Sequence, residues 1–93
     1  MIDILSYIPF GKDNAVTRGY LCRVTGLTDR DVRELICKAR HNTPIINLQN
    51  GGGYFRPTEQ EKRYVERWVS QEKKRAKSVF WSMKGARDFI RRA

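Results

Sequence analysis

Arg30, Arg33, Glu34 and Cys37 follow one another at intervals of three, one and three residues. At 3.6 residues per turn, that spacing gathers them on one face of a helix. An arginine fork matches guanine O6 and N7, and a carboxylate can accept from cytosine N4. The pattern suits contact with base edges, with Arg30 and Arg33 as the principal readers and Glu34 and Cys37 beside them. Candidate phosphate contacts surround it: Thr17 and Thr28 at expected helix starts, and Lys38, Arg40 and His41 toward a helix end. Catalysis is not expected, because His41 is the only histidine and no nucleophile–base–orienter set accompanies it. Cys37 and His41 are four residues apart, but two ligands are too few for structural zinc, so neither metal nor cofactor is expected. Gly51-Gly52-Gly53 is not followed by Gly-Lys-Ser/Thr and is no nucleotide-phosphate loop.

These residues need elements to hold them. Thr17 is a good N-cap, and a helix is expected from about Arg18 to Thr25, ending at Gly26. Thr28 caps a second helix with Asp29 and Asp31 in its first turn, where the helix dipole favours anions. This helix should reach about His41, with Val32, Leu35, Ile36 and Ala39 forming its buried stripe. Before the pair, residues 3–8 suit a short helix stopped by Pro9. After it, Ile45–Leu48 reads as a strand, residues 49–53 as a turn and Tyr54–Arg56 as a returning strand, since Asn-Gly between apolar runs signals a hairpin. Tyr54 and Phe55 should then face opposite ways, one into the core and one outward. The turn brings Asn50, Gly51 and Gly52 toward a sugar-phosphate wall, and Arg56 can add charge there. Thr58-Glu59-Gln60-Glu61 is a capping box that opens a last helix, expected to run to about Arg92, with a bend within residues 70–77 as an alternative.

Charge is uneven along these elements. The chain has 93 residues and 19 Lys and Arg against 10 Asp and Glu, a net +9 that favours a polyanionic partner. Residues 1–58 carry eight basic and five acidic side chains (+3), residues 59–93 eleven and five (+6), so most of the excess lies on the last helix. Lys73, Lys74, Arg75 and Lys77 are its densest cluster and suit sequence-independent contact with a phosphate backbone. Along the same helix Val65, Val69, Glu72, Ala76, Val79, Met83, Ala86 and Ile90 alternate at spacings of four and three, a coiled-coil seam with one charged breach. Val79, Phe80, Met83, Ala86 and Ile90 are the expected dimer contacts. The chain divides at residues 1–57 and 58–93. Two cysteines make no disulfide framework, no apolar run of membrane-spanning length is present, and the N-terminus lacks a signal-peptide pattern, so a cytoplasmic setting is expected.

Residues 18–40 carry a family resemblance. Gly26 stands at a tight turn, Leu21, Leu27, Val32 and Leu35 at helix-locking positions, and Cys22 where a small side chain, usually Ala, lets two helices cross. The stretch resembles a helix-turn-helix. With Leu27-Thr28-Asp29-Arg30-Asp31-Val32-Arg33, Thr43-Pro44-Ile45-Ile46-Asn47 and Gly53-Tyr54-Phe55, the chain resembles the small winged-helix proteins of phages and prophages of low-GC Gram-positive bacteria. The resemblance implies a mainly α fold with a small β-hairpin: a winged helix-turn-helix plus a long C-terminal helix. It implies sequence-specific binding of double-stranded DNA by a transcription regulator or replication accessory protein, as a homodimer, in a bacterial cell or infected host. A DNA-packaging component like small terminase subunits, and a winged-helix module for protein–protein interaction, are the alternatives.

Overall fold

Short polar side chains set the helix starts. The computed structural model describes residues 2–48 and 52–92. Thr17 Oγ accepts the Tyr20 N–H at 3.0 Å and opens α1 (Arg18–Thr25). Gly26, at φ +74°, closes α1 by returning its N–H to the Cys22 carbonyl at 2.9 Å, a left-handed cap that glycine adopts without a Cβ penalty. Thr28 repeats the N-cap, its Oγ accepting from the Asp31 N–H at 3.1 Å, and α2 runs Asp29–Arg40. Both helices occupy the spans that capping and periodicity indicate.

The apolar stripe of α2 builds the main core. Val32 and Ile36 are buried with Leu21 of α1, with Ile4 and Ile8 from the N-terminal segment, and with Ile45 and Tyr54; Leu27, Leu35, Ala39 and Cys22 fill its margin. The N-terminal segment is a 3-10 turn, Ile4–Tyr7, capped by Asp3 and packed against α2. Ile46, Leu48 and Phe55 form a second cluster, covered by Ala15, Tyr64, Val65 and Trp68.

The expected hairpin is corrected. Among the described residues there is no β-strand and no hairpin, only three isolated bridges: Phe10 with Arg56, Val16 with Tyr54, and Ile46 with Phe55. Successive N–H groups of residues 54–56 serve different neighbours: Tyr54 donates to Val16, Phe55 to Ile46 and Arg56 to Pro9. No two segments build a ladder, so the winged form is not retained. Residues 49–51 lie outside the described part. Tyr54 and Phe55 are also both buried, not one in and one out, because each side of their segment is covered by its own cluster.

The C-terminal half is also revised. Thr58 is followed by a 3-10 turn, Glu59–Glu61, and then by α3 (Lys62–Ser82). The Glu61 carboxylate reaches back to the Thr58 N–H at 2.9 Å, the return arm of the capping box. It also accepts the Lys12 N–H at 2.9 Å, which ties the N-terminal half to the root of α3. Residues 70–77 stay helical, and the break falls at Met83, after which α4 covers Lys84–Arg92. The single helix expected to reach Arg92 is thus two. No helix among the described residues is long and apolar enough to cross a membrane.

Candidate nucleic-acid interface

With Val32 and Ile36 buried, the opposite side of α2 is left in solvent. Arg30 is 83% exposed and sits 3.5 Å from Glu34; Arg33 is 59% exposed and sits 3.2 Å from Asp29. Cys37 and Lys38 are exposed on the same helix, and His41 is exposed at its C-cap. These ion pairs are solvated i,i+4 contacts worth about 0–1 kcal/mol each, so a stronger anion can displace them at little cost.

The N-terminal ends of α1 and α2 are clipped together. Arg18, the first residue of α1, donates to Asp29, the first residue of α2, and its guanidinium lies 3.5 Å from the Tyr54 hydroxyl. Hydrogen bonds to Tyr54 and Asp29 raise the Arg18 pKa. Asp29 therefore serves Arg18 and Arg33 together. The Asp29–Arg33 spacing was readable in the chain, but the Arg18–Asp29 clip was not, since it spans a turn. The hydroxyl oxygens of Thr17 and Thr28 are engaged by their caps, leaving each O–H free to donate.

Two expected phosphate ligands are engaged within the fold. Arg40 is half-buried: its Nε donates to the Ile45 carbonyl at 2.8 Å, and an NH2 group to Asn47 Oδ1 at 2.6 Å. Its guanidinium also lies 4.8 Å from the Trp68 ring centre and 5.7 Å from that of Tyr54. Burial lowers its pKa, opposed by Tyr54 and Glu72. Arg40 thus ties α2 to the segment after it and to α3. Arg56 donates from Nε to the Ile8 carbonyl at 3.1 Å and stacks 4.1 Å over Phe10. Arg40 commits two of its donors to the fold and Arg56 its Nε–H, and each ring contact holds the guanidinium against the protein.

The remaining candidates are distributed as follows. Gly52 is exposed at φ +91°, while Asn50 and Gly51 lie outside the described residues. Lys73, Lys74, Arg75 and Lys77 are exposed on α3, with Arg75 3.6 Å from Glu72. Val79, Phe80, Met83, Ala86 and Ile90 are all exposed, and so are Trp81 and Phe89, which lie beside the seam. Cys22 is half-buried against the core, and among the described residues no three metal-binding side chains come together. No protein-family model matches the chain, and comparison with curated proteins and solved structures gave no match.

Proposed function

We propose that the chain binds double-stranded DNA by laying the outer face of α2 in the major groove, as a transcription regulator or replication accessory protein of phage type. The observation that carries this reading is the state of Arg30 and Arg33. Both are solvent-facing, held only by weak ion pairs, and backed by a helix whose apolar side is buried. A major groove about 12 Å wide admits such a helix, and the +9 chain brings it to the duplex. Glu34 and Cys37 stand beside the two arginines; Lys38, His41, Thr17 and Thr28 flank them, and the basic stretch of α3 adds sequence-independent attraction.

Selection of bound duplexes from random DNA, followed by footprinting, tests the reading. It should return one motif bound at least ~10³-fold more tightly than random sequence. Arg30→Ala and Arg33→Ala should each cost about 1–3 kcal/mol on that motif and relax the preference at single positions. If no motif emerges, the reading fails.

A second copy of the chain is the proposed partner of the C-terminal segment. Phe80, Trp81, Phe89 and Ile90 are 58%, 79%, 68% and 71% exposed. An aromatic side chain buries about 150–250 Å² when covered. With Val79 and Met83, these groups offer an apolar area on the order of the ~800 Å² per partner of a standard interface. A two-fold pair would present two α2 helices to a pseudo-palindromic site.

A further inference from the structure

We propose that Lys12, Arg63 and Arg67, gathered around the ring of Tyr64, form a second phosphate-binding surface that grips a DNA backbone without regard to sequence. The ligand class rests on the proposed DNA binding; the site does not involve α2. Lys12 Nζ lies 5.3 Å from the Tyr64 ring centre, and the guanidinium carbons of Arg63 and Arg67 lie 5.0 and 5.9 Å from it. Arg63 also donates to the Tyr64 hydroxyl at 3.2 Å. Three cations thus share one aromatic ring, brought together from the N-terminal half and the first turns of α3.

Like charges held this close repel, and the ring answers only part of that repulsion. Among the described residues, none of the three is ion-paired with a carboxylate. Glu61, which meets the Lys12 N–H, already accepts two backbone N–H groups, from Lys12 and Thr58. Arg63 and Arg67 are exposed, and Lys12 and Tyr64 half-exposed, so an anion can reach all three charges. A phosphodiester backbone supplies anions in a row, which suits three cations spread around one ring better than a single small ion does.

The position makes this surface separate from the first. Tyr64 packs on the Phe55 cluster, its ring edge-on to Phe55 at 6.4 Å, whereas α2 packs on the Tyr54 cluster. Neighbouring side chains of an extended segment point to opposite sides. The patch and the buried stripe of α2 therefore lie on different sides of residues 54–56, and a duplex seated on α2 leaves the patch open to a flanking or second stretch of backbone.

The salt dependence of binding to a random-sequence duplex tests this. In log–log form the affinity falls with a slope of about −0.9 per phosphate neutralised. For the full chain carrying Lys12→Gln, Arg63→Gln and Arg67→Gln, the slope should become shallower by about 2 to 3, with the selected motif unchanged. Arg67→Gln alone, the mildest change, should remove close to one unit if the triple variant melts early. An unchanged slope in a variant with wild-type circular dichroism overturns the proposal. No motif selected by the wild-type chain, with the slope change intact, overturns the α2 reading alone; an unchanged slope in the variant, with the wild-type motif present, overturns the second surface alone, as does loss of the motif in the variant.

Discussion

Gly53 and Gly26 both sit at positive φ, +92° and +74°, but for different reasons. A Cβ built on Gly53 would stand 2.1 Å from the Val16 carbonyl oxygen, whereas one on Gly26 meets nothing within 4 Å. Gly26→Ala should therefore cost only the conformational term, about 1 kcal/mol. Gly53→Ala adds a backbone collision at the Val16–Tyr54 bridge and should cost about 3 kcal/mol or more. Urea melts of the two variants check the difference; equal losses would mean the Val16 contact is not what requires glycine. Glu61 carries a pH dependence. The N–H groups of Lys12 first, then Thr58, hold its carboxylate below its usual pKa. A depressed folded-state value contributes stability above the unfolded value, and that contribution is lost as pH falls through the folded value. Glu61→Gln should thus melt below wild type near neutral pH, with the gap closing in acid. The side chain is only partly buried, so the gap is modest. A gap that widens in acid would reverse the assignment.

At the scale of elements, α2 keeps its place by what it hides, by the Arg18–Asp29 clip at one end and by Arg40 at the other. Its register against the core is held at both termini, so the outer face has a defined orientation before any ligand arrives. The break at Met83 is of another kind. Gly85 follows it, the second residue of α4, with open space where a Cβ would stand. Glycine lowers helix propensity by up to about 1 kcal/mol relative to alanine. Gly85→Ala should raise far-ultraviolet helical ellipticity and stabilise α4 by up to about 1 kcal/mol. No gain in ellipticity would place the cause of the break elsewhere in the chain.

For the whole molecule, shape and surface agree. The radius of gyration is 16.2 Å and the extents are 50 × 32 × 23 Å. A compact chain of this length would have a radius near 12 Å. The excess comes from α3, whose 21 residues span about 31 Å and whose first turns alone meet the core. An arm that carries several exposed large apolar side chains is costly when left uncovered. Light scattering should give twice the 10.9 kDa chain mass. Phe80→Ser combined with Ile90→Asp should return the single-chain mass with the core signal retained and half-site DNA binding weakened but present. A wild-type chain that stays single at high concentration ends the dimer proposal, and a ring of many subunits would favour a packaging role.

The two helices and their caps were legible because their causes are local. Thr17, Gly26 and Thr28 act within one turn, and the stripe of Val32, Leu35, Ile36 and Ala39 follows from helical period alone. The face bearing Arg30 and Arg33 followed from the same period. The fates of Arg40 and Arg56 were not legible, because a guanidinium binds whichever carbonyl the fold brings within reach. For Arg56 that carbonyl belongs to Ile8, 48 residues away. The hairpin expectation failed in the ladder itself: Ile46 and Phe55 exchange both N–H bonds, but the next pair on one side would be Pro44 with Pro57, and neither has an N–H to donate. Local pattern determined which side of α2 is apolar and which is charged. Only tertiary packing decided which charges remain in solvent, because desolvation and hydrogen-bond satisfaction depend on neighbours that are distant in the chain.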